Sequence, residues 1–118
     1  YTYYFTPEST NPITKCGHSI ELPIVFNQSA ASGDAGREYD ATFSKTMRKM
    51  WIQFAKTGNP SLSAAESPDG KAKEWPLYDT TEKMVMVLDE LNIHPARESE
   101  VKIVDWERTY WVTKYHML

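Results

Sequence analysis

Six consecutive residues, Cys16-Gly17-His18-Ser19-Ile20-Glu21, hold a thiol, an imidazole, a hydroxyl and a carboxylate. His18 is one of three histidines and Cys16 is the only cysteine. An imidazole titrates near pH 6.5, so it takes up and returns a proton near neutral pH. In acyl transfer such a base needs a nucleophile on one ring nitrogen and a carboxylate on the other. A single histidine in a loop is more often a solvated or structural residue. His94, before a proline in an irregular segment, and His116, near the tail, carry only that structural reading.

The neighbours of His18 weigh differently. Gly17-His18-Ser19-Ile20-Glu21 nearly matches Gly-x-Ser-x-Gly, the pattern that sets a serine nucleophile on a sharp strand-to-helix turn. The fifth position is Glu21, where that turn needs a small residue, and Pro7 and Pro12 separate the motif from the preceding strand. Ser19 is therefore a poor candidate nucleophile. Glu21 lies too close in sequence to reach the correct ring nitrogen of His18 easily. Its better reading is structural, at a helix start where a carboxylate meets free N–H groups. One cysteine excludes an internal disulfide, and Cys16 is expected to be a buried free thiol rather than half of a bond to another chain.

Several elements must position this stretch. Tyr1 to Phe5 is aromatic and reads as a strand, broken by the polar, proline-containing run Thr6 to Pro12. Leu22 to Phe26 reads as a short helix with Pro23 in its first turn, and Ile24 and Phe26 are expected in the core. Asn27 to Gly36 reads as a solvated, mobile loop. Asp40 or Thr42 caps the next helix. Phe43, Met47, Met50, Trp51 and Phe54 recur there at helical spacing, with Lys45, Arg48, Lys49 and Gln53 mostly opposite. Gly58 and Asn59-Pro60 end it. Ser61 to Lys73 is a second polar loop. Trp75 to Tyr78 and Met84 to Leu88 read as two strands of a hairpin, Leu91 to Arg97 as irregular, and Ser99 to about Tyr115 as a final helix with a wide apolar face.

The 118 residues suit one small domain, and 41% hydrophobic content supports a core. A net charge of -3 without a basic cluster speaks against nucleic acid and anionic membranes as partners. No apolar run approaches the roughly 18 residues of a membrane span. Tyr1 to Phe5 lacks the basic and apolar regions of a signal peptide, and a chain opening inside a strand suggests a fragment or a processed chain. Asn27-Gln28-Ser29 fits the glycosylation pattern, which is common by chance. The few strands close no sheet by themselves, so the chain is expected to dock on a larger body.

The run His18-Ser19-Ile20-Glu21-Leu22-Pro23-Ile24-Val25-Phe26 resembles the catalytic-histidine segment of type B carboxylesterases, the cholinesterase-like group. Met50 to Pro60, with its Gly58-Asn59-Pro60 stop, is similar to a late helix of that family, Trp75-Pro76-Leu77-Tyr78-Asp79 to its Trp-Pro hairpin, and the region of Val104-Asp105-Trp106 to its terminal helix. Together these segments cover nearly the whole chain in the family's order. The resemblance implies an α/β fold: residues 1–118 as the C-terminal part of one α/β-hydrolase catalytic domain, with a doubly wound, mostly parallel sheet completed by a companion N-terminal chain. It implies a serine esterase whose triad runs Ser, acid, His along the sequence. His18 is then the only triad member here. The oxyanion loop, nucleophile and acid belong to the companion chain, and a small-molecule ester is the substrate. Cys16 departs from the small residue expected beside Gly17. No cofactor and no metal are called for. Two other readings stand beside it: a non-catalytic binding or adhesion protein on the same fold, and an independent small binding module.

Overall fold

The computed structural model describes residues 1–101. Beyond Ser99, which sits in a 3-10 turn at Glu98–Glu100, most of the expected terminal helix and His116 lie outside the described residues.

The aromatic run forms strand β1 (Tyr3–Phe5). It pairs in parallel with β2 (Met84–Leu88), Tyr3 opposite Met86 and Phe5 opposite Leu88. The N–H of Thr6 donates to Leu88 O at 3.1 Å and that of Met86 to Thr2 O at 3.0 Å. On its other side β2 pairs antiparallel with β3 (His94–Arg97), so the sheet order is β1-β2-β3 and the sheet is mixed. Val85 to Leu88 are all buried, as a continuous apolar run in a central strand should be.

The hairpin expected between Trp75–Tyr78 and Met84–Leu88 does not form. β2 takes as its partner the segment 94–97, which had read as irregular. Pro95 is tolerated there because β3 is the edge strand among the described residues, where a missing N–H costs no ladder bond. Trp75 instead runs through an extended segment. Its ring N–H donates to Thr2 O at 3.0 Å, its backbone N–H to Ser61 Oγ at 2.9 Å, and its side chain is buried.

Helix α1 (Leu22–Val25) is one turn with Pro at its start, as expected. Ile24 is buried, but Phe26, expected in the core, is 66% exposed. Beyond one turn the helix has no second ridge to carry Phe26 inward. Helix α2 (Ala41–Thr57) begins where the side chain of Asp40 accepts the N–H of Phe43 at 2.7 Å. It ends at Gly58, whose φ of 77° is the left-handed region that glycine enters without a Cβ clash. Phe43, Met47 and Met50 bury one stripe of α2 against Phe5, Ile20, Ile24, Met86 and Leu88. Arg48 reaches from α2 to the Ile24 carbonyl of α1 at 3.4 Å.

The segment from Asn27 to Gly36 is a loop exposed along most of its length, as expected, but it is anchored to its neighbours. Ala30 and Ala35 are buried. The Glu38 carboxylate accepts the Ser29 hydroxyl and the N–H groups of Ala30 and Ala31, both at 3.3 Å. The Thr10 N–H donates to Ala35 O at 3.0 Å and the Ser9 hydroxyl to Asp34 O at 2.6 Å. Small residues and one carboxylate fold this stretch onto the chain that leads to His18.

Candidate active site

His18 sits on a turn between the end of a polar loop and α1, exposed, beside β1. The turn is built by local backbone bonds. The Lys15 N–H donates to Asn11 O at 3.0 Å, and the Leu22 N–H donates to Ser19 O at 3.2 Å. Gly17 has no room for a side chain: a Cβ there would lie 2.9 Å from the Thr14 carbonyl oxygen. Ile20, two residues after His18, is buried and plants the turn in the core. The phenol of Tyr39 donates to Ile20 O at 3.1 Å.

An open recess of about 380 Å³ is shared by His18, Ser19, Cys16, Glu21 and the β1 residues Tyr3 to Phe5. The structure thus brings together all four chemistry-bearing side chains of the central stretch. Among the described residues neither ring nitrogen of His18 has a recorded hydrogen-bond partner, whereas His94 Nδ1 lies 2.9 Å from Asn92 O in a structural contact.

Glu21 is engaged elsewhere. Its Oε1 accepts the phenol of Tyr3 at 3.2 Å, and its backbone carbonyl accepts the N–H groups of Ile24 at 3.0 Å and Val25 at 3.3 Å as α1 begins. Burial, then the nearby Glu21 carboxylate, pushes the Tyr3 phenol pKa up. Cys16 is exposed as a residue, not buried as expected, although its thiol is partly buried against β1 and donates to Phe5 O at 2.8 Å. Burial of its sulfur and the Glu8 and Glu21 carboxylates push its pKa up, so the thiol is held in its non-nucleophilic form.

Ser19 has a φ of 66°, the left-handed region, but the turn it occupies is not a strand-to-helix elbow. Residues 6–18 separate it from β1, and α1 starts only at Leu22.

Residue-type reasoning missed the cluster around Tyr39, whose phenol reaches the turn at Ile20 O. Arg37 clamps Glu90 through two bonds, Nη1 to Oε1 at 3.1 Å and Nη2 to Oε2 at 2.6 Å. Glu90 also accepts the Asp40 N–H at 2.8 Å. The Arg37 guanidinium lies 4.8 Å from the centre of the Tyr39 ring. Burial opposes charge on Glu90, but the Arg37 and Asp40 hydrogen bonds outweigh it and lower its pKa. The one available signal was Tyr39 standing just before the Asp40 cap, where apolar residues often fix the entry to a helix.

Comparison with known proteins shows the family of the chain. The model of the carboxylesterase family matches residues 1–103. The chain is 35% identical to the para-nitrobenzyl esterase of Bacillus subtilis over 75% of its length, covering 18% of that protein. It is 29% identical to the acetylcholinesterase of Electrophorus electricus over 70% of its length, covering 13% of that protein. A crystal structure of a carboxylesterase from Geobacillus stearothermophilus superposes with a TM-score of 0.61 at 27% identity, over 94% of this chain and 21% of that one. The chain therefore spans about a fifth or less of the length of the proteins it matches. Its small mixed sheet and helices fit a piece of that carboxylesterase's α/β-hydrolase fold. With the family match running through the His18 turn, α2 and the sheet, this chain belongs to the carboxylesterase family.

Proposed function

We propose that this chain supplies the catalytic base, His18, of a serine carboxylic ester hydrolase. In this reading residues 1–118 are the C-terminal part of one catalytic domain with a largely parallel, doubly wound sheet. A companion N-terminal chain carries the nucleophile, the acid and the oxyanion donors. The observation that carries it is an exposed imidazole on a core-anchored turn beside a parallel strand, inside a carboxylesterase-family match.

The reaction is acyl transfer. The companion serine attacks the ester carbonyl while His18 takes the serine proton. The tetrahedral intermediate collapses, the C–O bond to the alcohol breaks, and His18 returns the proton to the leaving alkoxide. Water then attacks the acyl-enzyme with His18 again as base, releasing the acid and restoring the serine. The companion carboxylate holds the imidazole in the correct tautomer. Relatives named para-nitrobenzyl esterase and acetylcholinesterase support a small-molecule ester as the substrate in this reading.

The test is hydrolysis of a short-chain p-nitrophenyl ester by the assembled protein. His18→Ala should lower kcat about a thousandfold or more, with Ser19→Ala nearly normal. If Ser19→Ala alone abolishes turnover, the nucleophile lies in this chain and the proposal is wrong. If the wild-type assembly turns over no ester, a non-catalytic binding role takes its place.

A further inference from the structure

Tyr39 lies outside the His18 turn, one residue before the α2 cap, yet its phenol is directed at that turn. It donates to the carbonyl of Ile20 at 3.1 Å, and the side chain is only 8% exposed. Its ring meets Phe5, the last residue of β1, edge to face at 5.8 Å. Arg37 covers the ring at 4.8 Å and is itself locked to Glu90, just beyond the end of β2. Three parts of the fold thus converge on one phenol: the end of β1, the segment after β2, and the entry to α2. The His18 turn itself is held mainly by short-range backbone bonds.

We propose that Tyr39 is a positioning residue for His18, fixing the turn through the Ile20 carbonyl. This rests on the reading of His18 as the base. A base must be held within a fraction of an ångström of its productive geometry, and a turn with a left-handed residue at Ser19 has other conformations within reach. Burial, against the opposing Arg37 charge, pushes the Tyr39 pKa up to about 12. The phenol therefore keeps its proton, and its hydrogen bond, throughout the range in which an imidazole base works.

The experiment uses the complete protein and a p-nitrophenyl ester, with competent active sites counted by titration with an organophosphate. Tyr39→Phe keeps the ring against Phe5 and removes only the donor. Its kcat per titrated site should fall about tenfold, with KM within about twofold, since the loss is of geometry and not of substrate contacts. Lys73→Met, which removes the 2.8 Å Lys73–Asp69 ion pair away from the recess, should lower Tm without changing kcat per site. Unchanged kcat per site in Tyr39→Phe overturns the proposal, however far Tm falls, because the phenol would then serve only the fold. If Tyr39→Phe does not accumulate, Glu90→Gln, which loosens the Arg37 clamp, decides by the same ratio: a lower kcat at unchanged KM supports positioning, and an unchanged kcat overturns it. The underlying reading is scored separately. His18→Ala with full activity, or no titratable site in the wild type, removes that reading and the proposal with it.

Discussion

Glu21 and Gly17 show how two residues beside the same histidine are separated by geometry. Glu21 accepts the Tyr3 phenol and begins α1, so it is occupied as a structural acceptor. Glu21→Gln keeps an oxygen for Tyr3 and removes the charge. Steady-state kinetics should find its kcat/KM within about threefold of wild type, whereas loss of a true triad acid costs on the order of 10⁴. Gly17 faces a backbone carbonyl that cannot rotate away, 2.9 Å from where a Cβ would stand. Gly17→Ala should force the turn to shift and lower kcat about a hundredfold, measured per titrated site, because misplacement near 1 Å costs about that much. Glu90 makes a third residue-scale prediction. Its folded pKa is lowered, so the stability it contributes is fully present above the unfolded value near 4.3 and is lost as pH falls through the lower folded value. Tm followed from pH 7 downward should show the gap between wild type and Glu90→Gln narrowing below about pH 4. A gap constant down to pH 3 would mean that the Arg37–Glu90 charge contributes nothing to stability.

Among the elements, α2 was the most legible because everything that defines it is local. Phe43, Met47 and Met50 on its apolar stripe, the Asp40 side chain aimed at the Phe43 N–H, and Gly58 in the left-handed region appear as the spacing predicts, whereas Phe54, expected on the same stripe, is 50% exposed. Asp40→Ala should cost about 1 kcal/mol of unfolding free energy by denaturant titration. Met47→Ala, at a fully buried position between α2 and the sheet, should cost about 2–5 kcal/mol. The strands were less legible. Met84–Leu88 was found as a strand, but its partners were not, since pairing is chosen by non-local packing and loop closure. Trp-Pro-Leu-Tyr has good strand composition, yet Pro76 lacks the N–H a ladder needs and Trp75 is drawn to Thr2 and Ser61. His94-Pro95-Ala96-Arg97 looks irregular in composition and still forms β3, because an edge strand tolerates proline.

At the scale of the molecule, β1 is a three-residue strand held in parallel to β2, and parallel sheets are ordinarily covered on both faces. Tyr1 and Tyr3, 40% and 38% exposed, and Phe54, 50% exposed, border with Trp51 and Trp75 an apolar recess of about 190 Å³. In the proposed two-part enzyme the companion chain covers such surface. The chain 1–118 expressed alone should therefore bind a dye such as ANS and melt broadly, and a cooperative melt should need the rest of the protein. A monomer that melts cooperatively without it would favour an independent binding module.

The sequence by itself determined the local facts: a short helix opened by Pro23, a long helix from Asp40 to Gly58, an aromatic strand at the start, and a histidine on a glycine-containing turn. Each depends on residues within a few positions of one another. Only the tertiary structure decided which strand pairs with β2, that Phe26 is exposed, that the 27–36 stretch folds down under Glu38, and that Tyr39 reaches the turn of His18. Those outcomes join residues beyond one another's own turn or helix, or depend on a few hydrogen bonds whose partners composition does not name. Spacing predicts what a segment prefers; packing decides what it meets.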